Sequence, residues 1–205
     1  MKAWEERDIL VIMGAPLFRL PVILFIISLA LFFGLEIFLG RRRQAGVDDS
    51  GDAGSLKLIS RCRDASFLLG ILSAFYPVIP LPGGRDLQFI TGAGLIFAGF
   101  SLRVWAITLL GPWFTTVVAH QENQKLIKTG PYRFLRHPAY TGGLMFYLGF
   151  AVAMGSVWGV VAIMALISYA LHKRIRVEEK LMVACFGAEY LDYMKRTKKI
   201  IPLVY

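Results

Sequence analysis

The sequence predicts an all-α fold: an integral membrane bundle of about five transmembrane helices, with the last two as a helical hairpin, followed by a cytosolic C-terminal helix. Three observations support this class. Hydrophobic residues make up 56% of the 205 residues and charged residues 18%, which is more apolar than an ordinary soluble domain. Several apolar runs approach or reach the roughly 20 residues that cross a bilayer. Lysines and arginines stand beside these runs, as they do in membrane proteins.

The length suits one compact bundle, so we expect a single domain over 1–205. Two spans are expected within 1–88, and the remaining spans with the C-terminal helix occupy 89–205. The first span is Leu20–Leu39, whose only charged residue is Glu36. This run is longer than the apolar part of a signal peptide, and the basic stretch GRRRQ follows it instead of a cleavage site.

Two more spans are expected before the middle of the chain. Gly, Asp and Ser dominate residues 44–55, which predicts a solvated loop. The second span then covers about 65–79 and ends at the helix-stopping sequence YPVIPLPGG. The third covers Phe89–Leu110 and is interrupted only by Arg103. An arginine at this depth is either functional or extends its side chain to the surface about 10 Å away. The sequence leaves both open.

The run Tyr140–Leu171 contains 32 uncharged residues. As one straight helix it would measure roughly 48 Å against a hydrocarbon core of about 30 Å. Gly155 and Ser156 supply a turn, so we predict a hairpin of two short helices. Small residues are expected to let these two helices approach closely: Gly142, Gly143, Gly149, Ala151, Ala153, Gly159 and Ala162.

Charge asymmetry predicts the orientation of the bundle. With the hairpin, 18 of the 23 lysines and arginines fall on one face, which the positive-inside rule assigns to the cytosol. The N-terminus is then outside, and the C-terminus is cytosolic. This predicts a multi-pass protein, in the plasma or inner membrane if the source is bacterial. The same distribution argues against a nucleic-acid partner, because the basic residues do not follow an aromatic-studded groove.

A polar cluster, GPYRFLRHPAY at Gly130–Tyr140, stands at the cytosolic entrance to the hairpin. The last hairpin helix continues out of the membrane as HKRIRVEEKLMVACF, where Arg174 and Glu178 are four residues apart and share a face. Gly187 fits a helix stop, and AEYLDYMKR then predicts a short amphipathic helix at the membrane surface. Taken alone, this region is better explained as a basic helix attracted to anionic lipid.

Together, however, these motifs resemble a known family. LIKTGPYRFLRHPAYTGG, followed some 35 residues later by RIRVEEKLMVACFGAEYLDYMKR and then IP, is similar to the isoprenylcysteine carboxyl methyltransferase family. That family lies within a wider group of membrane methyltransferases that includes phospholipid methyltransferases. The earlier LRVWAITLLGPWF is similar to bacterial members, which implies a prokaryotic-type member. The resemblance covers about residues 92–203 and makes 89–205 the expected catalytic core.

The resemblance implies that S-adenosylmethionine binds from the cytosol and that a lipophilic acceptor enters from the bilayer. It implies Arg174 on the acceptor side and Glu178 facing the cofactor as the catalytic pair. This sequence departs from the eukaryotic members at one of the implied positions, because they carry a histidine where Gln124 stands. The implied cofactor-binding residues are Gln124, Lys125, Leu126, Ile127, Tyr132, His137, Pro138, Ala139, Tyr140, Glu178 and Glu179.

The residue types suit methyl transfer, which depends mainly on positioning the donor and the acceptor. No metal is expected. An arginine such as Arg174 can hold an acceptor carboxylate in a bidentate grip, and an ionised carboxylate needs no general base. If the acceptor were an amine, His137 or Glu179 would be candidate bases. The partner is therefore a lipophilic small molecule or a lipid-modified acceptor, together with membrane lipid. The sequence does not decide between carboxylate, amine and thiol, and it leaves the oligomeric state open.

Two other function classes compete with this interpretation. A sterol-type reductase that uses NADPH would bind its cofactor with a related C-terminal half. A non-catalytic lipid-binding bundle would bind neither cofactor. Affinity for S-adenosylmethionine as against NADPH separates the three.

Overall fold

The computed structural model describes residues 19–41, 54–114 and 124–200. Within these ranges β-type pairing is limited to two isolated bridges, Pro80 with Ser156 and Leu135 with Lys198. The predicted all-α class is therefore confirmed. The described ranges contain six α-helices, α1 Leu20–Arg41, α2 Ser55–Phe75, α3 Arg85–Leu110, α4 Pro138–Met154, α5 Val157–Phe186 and α6 Ala188–Arg196, and two 3₁₀ helices, Gly111–Trp113 and Gly130–Arg133.

Two segments of the described chain are long and apolar enough to cross a membrane, Leu20–Leu39 and Arg85–Trp113. The helix Pro138–Met154 is apolar but shorter. These segments agree with the first and third expected spans and with the first arm of the hairpin. The number of five transmembrane helices stays a prediction.

The second helix differs from the expected span at both ends. α2 runs over Ser55–Phe75, whereas the sequence predicts 65–79. It begins earlier because charged side chains in its first turns interrupt the apolar pattern without interrupting the helix. It ends earlier because Tyr76 precedes a proline and leaves the helical conformation. Ser55, expected at the end of a loop, is thus the first residue of a helix, and the loop residues 44–53 lie outside the described ranges.

The hairpin between α4 and α5 is confirmed. Gly155 adopts φ of +82°, which glycine tolerates and other residues rarely do. The turn is held by the loop between α2 and α3. Leu81 donates its N–H to the Gly155 carbonyl at 2.9 Å, and Val157 donates to the Ile79 carbonyl at 2.9 Å. The end of α2, the start of α3 and the hairpin turn therefore meet at one end of the bundle.

The small residues of the hairpin pack differently from the prediction. A Cβ added to Gly142 would clash with the Gly99 carbonyl, and one added to Gly149 would lie 2.5 Å from the Gly92 carbonyl. These glycines therefore bring α4 against α3, not against α5. Nothing lies within 4 Å of a Cβ built on Gly143. At both crossings of α4 with α3 a glycine stands opposite a glycine, which lets the two backbones approach closely.

Gly159, in the second arm, meets Ser73 of α2. The centre of the bundle is aromatic: Phe146 of α4 is fully buried, and its ring stacks on Phe32 of α1 with the centroids 3.8 Å apart. Phe67 of α2 approaches the same ring edge-on at 6.3 Å. These aromatic rings join α1, α2 and α4. The polar cluster lies at the end of the bundle opposite the hairpin turn.

Candidate active site

The polar cluster Gly130–Tyr140 folds tightly at the start of α4. Gly130 has φ of +58° and lies against α3, where an added Cβ would meet Leu109 at 2.5 Å. Tyr132 is buried, and its hydroxyl lies 3.4 Å from the Ala106 carbonyl of α3. Burial, with the negative charge of Glu178 adding to it, raises the pKa of the Tyr132 phenol well above its usual range. The side chain therefore remains neutral.

The C-terminal residues 197–200 run beside this cluster. The N–H of Arg136 donates to the Lys198 carbonyl at 2.8 Å, and that of His137 donates to the Lys199 carbonyl at 3.0 Å. Sequence reasoning missed this contact, because four residues are too few to show strand periodicity. The tail fixes the backbone of the residues just before α4.

A buried ion pair lies under the cluster. Arg136 Nε donates to Glu179 Oε1 at 2.7 Å, and Lys199 Nζ lies 3.7 Å from Glu179 Oε2. Arg136 also donates to the Thr197 carbonyl. Burial raises the pKa of the Glu179 carboxyl, but hydrogen bonds and charge from His137 and Arg136 outweigh this and lower the pKa to about 2. Glu179 is therefore ionised at neutral pH and anchors the loop and the tail.

His137 lies between the two adjacent glutamates of α5. Its Nδ1 is 3.8 Å from Glu178 Oε2, and its Nε2 is 3.5 Å from Glu179 Oε1. The ring stacks on Tyr140 with centroids 5.6 Å apart. The side chain is 5% exposed, so its orientation is fixed by these neighbours.

Tyr140 connects the two residues expected to be catalytic. Its hydroxyl donates to Glu178 Oε2 at 2.9 Å and accepts from Arg174 Nε at 3.3 Å. Arg174 is 3% exposed and also donates from Nη1 to Ser55 Oγ, at the start of α2, at 2.8 Å. The predicted spacing of Arg174 and Glu178 on one helix face is confirmed, and Tyr140 holds both side chains together.

These groups line a cavity of about 250 Å³ at the end of the bundle opposite the hairpin turn. Its walls come from α1, α2, α3, the 3₁₀ helix after α3, the 124–127 segment, the polar cluster, α5 and α6. The lining has a polar part and an apolar part. The apolar part includes Leu56, Ile59, Trp113, Phe114 and Phe186. Such a mixed lining suits a ligand with a charged part and an apolar part.

Most of the candidate residues meet at this cavity. Pro138 and Glu179 do not line it: Pro138 is fully buried in the first turn of α4, and Glu179 lies beneath His137. One part of the motif set, the IP dipeptide at 201–202, lies outside the described ranges. The candidates that do line it are Gln124, Lys125, Leu126, Ile127, Tyr132, His137, Ala139, Tyr140, Arg174 and Glu178.

Arg103, whose role the sequence left open, also lines the cavity. Its Nε donates to Glu36 Oε1 of α1 at 2.7 Å, and its Nη1 donates to the Ala139 carbonyl at 2.9 Å. The sequence contains a signal for this ion pair, because each of two apolar runs is interrupted by a single charge and the two charges have opposite sign. Since the first span contains one acid and the third one base, their pairing could have been proposed from the sequence.

Residues 87–189 match the family model described as phospholipid methyltransferase. The chain belongs to this family. A probable protein-S-isoprenylcysteine O-methyltransferase of Oryza sativa subsp. indica is 30% identical over 190 residues, 88% of this chain and 95% of that protein. Protein-S-isoprenylcysteine O-methyltransferase B of Arabidopsis thaliana is 29% identical over 72% of this chain and 77% of that protein. This membrane protein is therefore a methyltransferase, and its family implies S-adenosylmethionine as the methyl donor.

A solved structure shares the fold. The eukaryotic intramembrane Ras methyltransferase ICMT, an isoprenylcysteine carboxyl methyltransferase, superposes with a TM-score of 0.57 at 20% identity over 71% of this chain. The match spans 52% of the length of that structure's chain. It supports the helical membrane architecture.

Proposed function

We propose that the cavity binds S-adenosylmethionine and the carboxylate of a lipophilic acceptor side by side, and that the protein methylates that carboxylate. One observation carries the proposal. The Arg174 guanidinium and the Glu178 carboxylate are joined through one hydroxyl, that of Tyr140, on the wall of a cavity that is part polar and part apolar. A cation for the acceptor and an anion for the cofactor are thereby held on adjacent turns of one helix.

The polar residues of the cavity fit the cofactor. When bound, S-adenosylmethionine supplies a methyl group on a positively charged sulfur. Glu178, whose side chain is 29% exposed, offers a carboxylate for the ammonium of the methionine part. His137 and Tyr132 present buried rings, and residues 124–127 add backbone groups and the apolar side chains of Leu126 and Ile127. Together these groups would hold the donor.

The acceptor half of the site favours a carboxylate over an amine. Arg174 is buried and held on two sides, so its planar fork is oriented to grip a carboxylate. An amine would need a base to remove its proton. Of the two candidate bases, His137 and Glu179, the second does not suit that task, because its pKa is lowered to about 2 and it is bonded to Arg136. The relatives named for isoprenylcysteine suggest a prenylated cysteine carboxylate as the acceptor class.

The orientation follows from the same arrangement. The cavity lies at the end that carries the C-terminal tail, which the charge distribution assigns to the cytosol. The cofactor then enters from the cytosol, while an acceptor with a lipid chain reaches the apolar lining from the bilayer. We infer a multi-pass, prokaryotic-type member with its N-terminus outside.

Binding measurements separate this function from its alternatives. Purified protein in detergent is titrated with labelled S-adenosylmethionine and, separately, with NADPH. We expect saturable binding of S-adenosylmethionine that S-adenosylhomocysteine displaces, and no binding of NADPH. Binding of NADPH alone would support a reductase, and binding of neither would support a non-catalytic bundle.

A further inference from the structure

The ion pair between Glu36 and Arg103 joins the first helix to the wall of the active-site cavity. Glu36 Oε1 lies 2.7 Å from Arg103 Nε, and both side chains line the cavity. The Arg103 side chain is 14% exposed and that of Glu36 is 39% exposed. Each charge interrupts an otherwise uncharged apolar run, Leu20–Leu39 for Glu36 and Phe89–Leu110 for Arg103. In such a segment an unpaired charge is costly, so the two groups hold each other in place.

Arg103 has a second bond that leads to the reacting groups. Its Nη1 donates to the carbonyl of Ala139 at 2.9 Å, which stands in the first turn of α4. The next residue is Tyr140, whose hydroxyl contacts both Arg174 and Glu178. The guanidinium thus bridges a carboxylate on α1 and the backbone that carries Tyr140.

We propose that Glu36 is a positioning residue for methyl transfer: it holds the Arg103 guanidinium against the first turn of α4, and so fixes Tyr140 between Arg174 and Glu178. The inference rests on the proposed function, because it concerns the geometry of that site. It gives α1 a role in the reaction, although residues 20–41 lie outside the 87–189 segment that matches the family model.

Loss of the Glu36 carboxylate predicts a specific defect. Without it, Arg103 is a poorly paired cation in an apolar segment and turns toward water, away from Ala139. Tyr140 then loses its restraint, and misplacement by about 1 Å can lower a rate by as much as 100-fold. Glu178, the carboxylate that we assign to the cofactor, keeps its charge in this variant. We therefore expect turnover, not cofactor affinity, to fall.

The test compares Glu36→Gln, Glu36→Asp and the control Asp86→Asn. Among the described residues, Asp86 of α3 forms an ion pair with Arg19, just before α1, at 3.7 Å. This pair lies at the far end of the bundle, and the Asp86 side chain is 54% exposed. For each variant we measure kcat and KM with a prenylated cysteine that has a free carboxylate as the acceptor, the Kd of S-adenosylhomocysteine, and the thermal unfolding temperature.

We expect Glu36→Gln to lower kcat about ten-fold or more and to change the Kd of S-adenosylhomocysteine less than two-fold. Glu36→Asp should have a kcat between those of Glu36→Gln and the wild type. Asp86→Asn should match the wild type. Wild-type kcat above zero establishes methyl transfer itself, so failure of the proposed function is seen separately. Unchanged kcat in Glu36→Gln would overturn the positioning role.

A double variant separates positioning from simple stabilisation. Glu36→Gln with Arg103→Met removes the unpaired charge, so its unfolding temperature should recover relative to Glu36→Gln alone. Its kcat should stay low, because nothing then holds the Ala139 carbonyl. Recovery of kcat together with the unfolding temperature would show that the pair only stabilises the bundle, and it would contradict the proposal.

Discussion

Replacing Glu178 by glutamine tests how the site divides its work between cofactor and acceptor. The change keeps the size of the side chain. It also keeps an oxygen that can accept a hydrogen bond from the Tyr140 hydroxyl, which in the wild type lies 2.9 Å from Glu178 Oε2. It removes the charge that we assign to the cofactor's ammonium. A hydrogen bond between charged groups contributes about 1.5 to 3 kcal/mol. Because the side chain is 29% exposed, we expect the lower part of this range.

The expected result is a cofactor affinity weakened about 10- to 30-fold, at 1.4 kcal/mol for each factor of ten. The assay is calorimetric titration with S-adenosylhomocysteine beside the rate of methyl transfer. Arg174→Ala should show the opposite pattern, with affinity within about two-fold of the wild type and a much lower rate, since the grip on the acceptor acts at the reacting centre. Arg174→Lys should recover little, because an ammonium lacks the planar fork.

Arg176→Ala is the matched control, because Arg176 is an exposed arginine on the same helix and its loss removes the same charge. It should leave both quantities near the wild type. The division of roles is wrong if Arg174→Ala abolishes binding of S-adenosylhomocysteine while the variant still unfolds near the wild-type temperature. Unchanged affinity in Glu178→Gln would equally refute the assignment of its carboxylate.

Three further predictions concern packing, pH and orientation. Gly142→Ala should lower the stability by about 1 to 3 kcal/mol, because its Cβ clashes with backbone, while Gly143→Ala, with nothing within 4 Å, should be neutral or stabilising in thermal unfolding. The lowered pKa of Glu179 means that its ionised form stabilises the fold above about pH 4.5. This contribution is lost as the pH falls toward 2, so the difference in unfolding temperature between wild type and Glu179→Gln should shrink over that interval. Single cysteines at positions 133 and 176, in a background without native cysteines, should label only from the cytosolic side of sealed vesicles, and labelling from outside would reverse the topology.

The sequence predicts those parts of the molecule whose cause is local. The hairpin turn follows from Gly155 in an apolar run too long for one helix, and the stop at Gly187 follows from the residue type, which has φ of +52° in the structure. The pairing of Arg174 and Glu178 on one face follows from helix geometry. Each of these can be read from one continuous stretch of the chain.

What the sequence does not predict depends on contacts between distant residues. Glycine spacing indicates close packing, but the partner of Gly142 is α3 because Gly99 stands opposite. Adjacent glutamates have the same local environment in the sequence, yet Glu178 faces the cavity while Glu179 lies beneath His137 against Arg136. The contact of the tail with the residues before α4 joins positions about 60 apart, and no local pattern marks it.

The central claim is that the methyl acceptor is a lipophilic carboxylate. Its most direct test is mass spectrometry of a membrane lipid and protein extract incubated with the purified protein and a donor that carries a deuterated methyl group. The account predicts a labelled product in a hydrophobic fraction, absent with Arg174→Ala, that releases its label as methanol in mild alkali, because a methyl ester hydrolyses there. A labelled product whose methyl group survives alkali would place the methyl on nitrogen or sulfur and would contradict the claim.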